Sequence, residues 1–343
     1  MLKKIIYIAG FFITLAILWT GTEYVYLKRL YIYSPVPSTS SVLDNVYARL
    51  YKVHNAYKLN NQSFFIKPAN ASTEDTKAKA YIAVDNDNGN ILDSYNEKQQ
   101  LPIASLTKIM TAVVALDLAS PDERFTVTQN AADQIPTKIG IQTGEQMTLR
   151  ELLHASLMTS ANDATEEIKE GIDTLYGTPV FIDAMNKKAE LIGLTSTHFS
   201  NPQGFDSDHN YSTVSDLAVL AHYALTEYPM IEEIVRKDHL VLPADQYHHQ
   251  FDLYNWNGLL DVYPGVYGIK IGNTGQAGTT TIVGSRREGK NVLVVVLGTP
   301  NVLERDKAAA TLLDNTFENE WKLEPVRIEE DSLREKYASW HLY

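Results

Sequence analysis

Apolar and polar positions change rhythm several times along this 343-residue chain. Residues 5–19 (IIYIAGFFITLAILW) form a run without a single charge. Residues 42–58 space their apolar side chains (Val42, Leu43, Val46, Leu50, Val53) as a short helix would, and 60–79 are polar with no period. From Ala80 the stretch AYIAVDNDNGNILDSYN reads as strand, turn and strand, and Asn88-Gly89 at its centre is a strong short-range hairpin signal. Residues 105–118, 148–169, 179–191 and 214–225 then carry the 3.6-residue spacing of helices. Strand rhythm returns at 265–271, 279–286 and 291–298, with SRREGKN as the polar turn between the last two, and 306–321 closes as a helix. No segment repeats another. Strands at both ends around a helical middle predict an α+β fold instead of alternating βαβ units.

The first residues change this picture most. Lys3 and Lys4 precede the apolar run, the arrangement of an export signal. The length falls between a signal-peptide core and a full membrane span. The following TGTEYVY offers no small-x-small cleavage site, so residues 1–26 read as an uncleaved membrane anchor, with a cleaved signal as the alternative. Either reading places the remainder outside the cytoplasm, although Lys28 and Arg29 on the far side weaken an orientation argument from charge. The proline- and serine-rich SPVPSTSS falls within a polar stalk or linker, 27–75, ahead of a globular domain at 76–322 and a tail at 323–343. The tail is too acidic to read as a membrane helix.

A hydrophobic share of 44% and a charged share of 21% are ordinary for a globular protein. The net charge of −12 argues against a nucleic-acid partner, which would call for clustered Lys and Arg. With no cysteine, disulfides, thiolate metal sites and a Cys nucleophile are excluded. DNDNGN does not fit a calcium loop: counted from Asp85, position 6 is Asn90 where a glycine is needed. His248 and His249 have no ligand partner at metal spacing and read as part of a surface hairpin.

Three short motifs could carry chemistry. In PIASLTKIM, Ser105 and Lys108 are three apart, so a helix starting near Ser105 brings them together. A lysine buried there can lose its proton and serve as base to the serine. Ser160 and Asn162, in TSANDA, place a hydroxyl and an amide two residues apart, able to relay a proton and to hold a lysine. Lys-x-Gly occurs at Lys138, Lys169 and Lys270, but only Lys270 follows both serine motifs and leads into a strand pair. Each motif alone is common. The order S-x-x-K, S-x-N, K-x-G is specific, because it matches the set S-x-x-K, S-D-N, K-T-G of penicillin-binding proteins and class A β-lactamases.

On these motifs, and on TGEQMTLRELLHASLMTSANDA, MNKKAELIGLTSTHFSNPQGFD and GIKIGNTGQAGTTTIVGSRREGKNVLVVVLG, the chain resembles the D-alanyl-D-alanine carboxypeptidases among the low-molecular-weight penicillin-binding proteins. The resemblance implies the β-lactamase/DD-peptidase-like fold, an antiparallel sheet flanked by helices with a mostly helical subdomain. It implies that Ser105 is the nucleophile, Lys108 its base, Ser160 a proton relay, and Asn162 the group ordering Lys108 and the substrate backbone. Lys270, Gly272, Asn273 and Thr274 would bind substrate on an edge strand, with an oxyanion hole from the N–H groups of Ser105 and Asn273. No metal or organic cofactor is implied. The partners implied are a peptidoglycan stem peptide and β-lactams as covalent inhibitors.

Two positions depart from the family pattern: Ile271 stands where the strand motif has Thr, and Gln203 where His is common. Ile271 leaves three readings open: a carboxypeptidase, an endopeptidase that cuts cross-links, or a catalytically weak wall-binding protein. The E-x-x-x-N pattern of a class A β-lactamase is absent between Asp163 and Ile269.

Overall fold

The computed structural model describes residues 39–51 and 76–340. The expected anchor and most of the expected linker lie outside them. The chain divides into two units, at Asn45/Val46. In the first, the described residues open helix α1 (Thr39–Leu50). Everything that follows concerns the second.

The hairpin predicted at 80–96 is present as β1 (Ala80–Asp85) and β2 (Ile91–Tyr95). Asp85 caps its turn, accepting from Asp87 N and from Asn88 Nδ2. The later strands are β3 (Val266–Thr274), β4 (Gly278–Arg287) and β5 (Lys290–Thr299). All five form one antiparallel sheet in the order β2-β1-β5-β4-β3. The late strands therefore pair onto the early hairpin, and β3 is left at the edge.

Strand alternation explains the two covers. Val292, Val294 and Val296 of β5 join Tyr81 and Ala83 of β1 in a cluster with Ala309, Leu312, Leu313 and Phe317 of a C-terminal helix. The alternate residues Leu293, Val295 and Leu297 are equally buried, as expected of a central strand covered on both faces.

The helical part surrounds α2 (Thr107–Leu118), in which residues 107–115 and Leu118 are buried. A helix apolar all round must be enclosed. Around it lie α3 (Leu149–His154), α4 (Asn162–Tyr176), α5 (Phe181–Leu191), α6 (Val214–Glu227) and α7 (Pro229–Val235). The C-terminal helices are α8 (Val302–Trp321) and α9 (Glu330–Ala338). The arrangement is the α+β architecture expected from the sequence.

Two local expectations are corrected. The helix predicted over 148–169 is two: α3 opens with a Thr148/Glu151 capping box and passes into a π-helical turn, Ala155–Thr159, which ends at Ser160 with φ of 62°. The apolar spacing runs through this break because both pieces bury the same face; periodicity reports burial and is blind to one left-handed residue. Residues 46–50, placed in the linker by the sequence, bury Val46 and Leu50 completely. Arg49 Nη1 donates to Leu118 O at 3.2 Å, and Lys188 Nζ to Leu50 O at 3.2 Å. The hairpin expected around His248 and His249 is present, His239–Leu242 paired with Phe251–Tyr254, with His249 exposed at its loop and His248 turned inward, 6% exposed.

Candidate active site

The nucleophile candidate sits at a sharp corner. After the short strand Leu101–Pro102, Ala104 takes φ of +50°, and the 3₁₀ turn Ala104–Leu106 then feeds α2. A left-handed alanine costs about 1–2 kcal/mol and persists only where its surroundings hold it. Here they do. Gly204 packs so closely that a Cβ on it would lie 1.9 Å from Ala104 O, and Gly204 itself has φ of +89°. On the other side a Cβ at Gly272 would lie 2.9 Å from Ser105 N. Only glycine lets the edge strand approach the serine backbone this closely.

Lys108 is one turn further on, fully buried. Its Nζ lies 2.9 Å from Ser105 Oγ, 2.8 Å from Asn162 Oδ1 and 2.8 Å from Gln203 O. Burial pushes its pKa down to about 7, against the pull of the Asp163 carboxylate. A neutral amine has two N–H bonds and one lone pair. The two carbonyl oxygens can only accept, so they take the N–H bonds, and the lone pair is left for the Ser105 hydroxyl proton. That is the geometry of a general base.

Asn162 is held as firmly as the lysine it contacts. Its Nδ2 donates to Ile135 O at 3.1 Å and its backbone N to Thr137 O at 2.7 Å. The adjacent Asp163, also buried, accepts from the backbone N–H groups of Ile139, Gly140 and Ile141. Burial raises the pKa of this carboxyl, and these donors oppose the rise. Two neighbouring residues at the start of α4 thus clamp the 135–141 segment along the site.

Ser105, Ser160, Asn162, Asn273 and Thr274 all line one cavity of about 360 Å³, together with Ile135–Thr137 and the Gln203–Asp206 segment. Of the remaining predicted residues, Gly272 abuts Ser105 N, Lys108 stands behind Ser105, and Lys270 is buried with its Nζ donating to Ile271 O at 3.0 Å. Burial lowers the Lys270 pKa well below the ordinary lysine value, helped by the nearby positive charges of Lys108 and Arg305.

Ser105, Lys108, Ser160 and Asn162, from two distant stretches of the chain, thus meet at one cavity. The sequence profile of the D-alanyl-D-alanine carboxypeptidases matches residues 67–301. The chain belongs to that family. A D-alanyl-D-alanine carboxypeptidase of Bacillus subtilis is 31% identical over 70% of this chain and 62% of its own length. A D-alanyl-D-alanine endopeptidase of Pseudomonas aeruginosa is 33% identical over 44% of this chain and 48% of its own length. The chain thus spans less than two thirds of these relatives. Among solved structures, the Streptomyces K15 DD-transpeptidase is similar with a TM-score of 0.66 at 26% identity, covering 70% of this chain and 97% of that one. Penicillin-binding protein D2 of Listeria monocytogenes, in its ampicillin-bound form, has a TM-score of 0.59 at 29% identity, covering 70% and 97%.

The sequence motifs do not mark Gln203, Asp163 or Asp206 as site residues of this family member. Gln203 works through its main chain, whose carbonyl accepts from Lys108, while its side chain donates to the buried Glu166. No side-chain pattern announces a backbone acceptor. Asp163 could have been noticed as an acid in the first turn of a helix. Asp206 accepts from Thr274 Oγ1 at 2.5 Å and from Gln276 N at 3.0 Å, tying its loop to the end of β3. Ile271 is buried, 8% exposed, pairs with Thr281 of β4, and is not part of the described cavity lining.

Proposed function

We propose that the protein is a serine-type D-alanyl-D-alanine carboxypeptidase that trims peptidoglycan stem peptides. The observation that carries this reading is the Lys108 Nζ to Ser105 Oγ contact of 2.9 Å, with both other Lys108 acceptors being carbonyl oxygens. Ser105 Oγ attacks the carbonyl of the terminal D-Ala–D-Ala bond and gives its proton to Lys108 Nζ. Negative charge on the carbonyl oxygen is met by the backbone N–H groups of Ser105 and Asn273. The C–N bond breaks as the leaving amine takes a proton through Ser160, and D-alanine departs. Water then cleaves the Ser105 ester. Asn162 orders Lys108, while Lys270 would hold the Ser160 hydroxyl and the substrate carboxylate, as in the family. Gly272 and Thr274 complete the substrate strand. No step calls for a metal or organic cofactor.

The same reading places the enzyme outside the cytoplasm. Residues 1–26 would be its membrane anchor, 27–75 mostly linker and 76–322 the catalytic domain, onto which 323–340, expected as a tail, also pack. β-Lactams would acylate Ser105 as substrate mimics.

Ile271 favours a second reading. Without a hydroxyl there, a free C-terminal carboxylate loses one hydrogen bond, worth about 1.5–3 kcal/mol or roughly 10- to 100-fold in binding. A cross-linked peptide presents no such demand, so DD-endopeptidase activity is the alternative.

Mass spectrometry of the purified protein with a pentapeptide ending in D-Ala–D-Ala, beside a cross-linked muropeptide dimer, separates the two. Loss of one D-alanine, abolished in Ser105→Ala, is the expected result. Cleavage of the dimer alone would make the enzyme an endopeptidase. Turnover of neither, with no β-lactam adduct on Ser105, would leave a wall-binding protein.

A further inference from the structure

The cavity beside Ser105 is uneven in charge. Among its described lining residues, Asp206 is the one with a formal charge; the others are neutral polar or apolar. The lysines of the site lie behind the surface, Lys108 fully buried and Lys270 2% exposed. A substrate that fills this cavity therefore meets a carboxylate as its only exposed ionic partner there.

Asp206 is also fixed in place. Its two oxygens accept from Thr274 Oγ1 and Gln276 N, one each. The residue is nevertheless exposed, so each oxygen keeps an open lone pair. Immediately before it, Phe205 lines the same cavity, and Ile135, 62% exposed, stands on the rim. Apolar contact followed by an anchored carboxylate suits a side chain with an aliphatic stem and a cationic tip.

We propose that Asp206 is a specificity residue that selects peptides carrying a free primary ammonium. This rests on the carboxypeptidase reading and names its substrate class. In the bound substrate the terminal D-alanine has a methyl side chain, and its nitrogen is the uncharged scissile amide. The ammonium must therefore come from the acyl part of the peptide, from an unacylated diamino acid on the N-terminal side of D-Ala–D-Ala. Its methylenes would lie along Phe205 and its ammonium would donate to Asp206. A diamino acid whose side-chain amine is already acylated has no charge to present and is discriminated against.

The test compares two peptides on the full-length protein: Nα-acetyl-L-Lys-D-Ala-D-Ala and its Nα,Nε-diacetyl counterpart, with D-alanine release as readout. A charge-assisted hydrogen bond of this kind predicts a preference for the free amine of about tenfold in kcat/KM, carried mainly by KM. In Asp206→Asn the ratio between the two peptides falls towards one, and added salt narrows it in the wild type. Because the readout is a ratio within one protein, general damage to the site cancels. Equal use of both peptides by the wild type, or a preference that survives in Asp206→Asn, overturns the assignment alone. No turnover of either peptide overturns the carboxypeptidase reading and the assignment with it.

Discussion

At the scale of single residues, the decisive group is Lys108. Its position was readable, since three residues along a helix turn bring it under Ser105. Its chemistry depends on burial, which lowers its pKa to about 7. The sign follows directly: below that pH the amine is protonated, its lone pair is gone, and it cannot take the Ser105 proton. Acylation by a β-lactam should therefore rise with pH through a midpoint near 7 and fall about tenfold per unit on the acid side. Stopped-flow measurement of acylation between pH 5 and 9 checks this. A flat profile would mean that Lys108 does not act as base.

At the scale of elements, the site is an agreement among three backbones: the corner at Ala104, the 201–206 loop and the edge strand β3. The loop is held from α2 and from within. Thr111 Oγ1 donates to Pro202 O at 2.7 Å, and Asn201 Oδ1 accepts from Gly204 N and Phe205 N at 2.8 Å each. Within it Gly204 has no room for a side chain, with Ala104 O at 1.9 Å from any Cβ. Gly204→Ala must push the loop and the nucleophile corner apart. The expected outcome is a loss of at least about 2 kcal/mol in stability by urea unfolding, from steric overlap plus the positive φ. A fall of about a hundredfold in acylation rate should accompany it, because an ångström of misplacement is enough for that. The sequence predicted the elements better than their junctions. The helix over 148–169 was visible as burial, but the turn that presents Ser160 was not. Its π-helical turn and left-handed end are set by what packs on either side.

At the scale of the whole molecule, the last described residues belong to the catalytic fold. Leu333 of α9 is fully buried in the cluster beneath the sheet, and Val326 N and Arg327 N both donate to the Asp314 carboxylate of α8, at 2.7 and 2.8 Å. Tyr337 OH donates to Asp306 Oδ2 at 2.7 Å, and Asp306 is the partner of Arg305, the cation that acts on Lys270. The expected tail is thus packed against α8 beneath the sheet. Leu333→Ala should cost about 2–5 kcal/mol, read as a shift of the single unfolding midpoint in urea. A change near zero would mean that α9 contributes nothing to the fold.

Much of this protein was decided by the sequence alone, wherever the controlling contacts are local. Asn88-Gly89 makes a hairpin, alternating valines make a covered strand, and Ser105 and Lys108 meet because one helical turn separates them. The order of the three motifs was enough to point to the family. The tertiary structure decided what depends on residues far apart in the chain. It supplied the Gln203 carbonyl, 95 residues from Lys108, and the glycines that let two distant backbones touch beside Ser105. It also enclosed Lys108 so that its proton becomes easy to lose. Desolvation and close backbone approach are properties of the assembled core, and no local pattern of residue types records them.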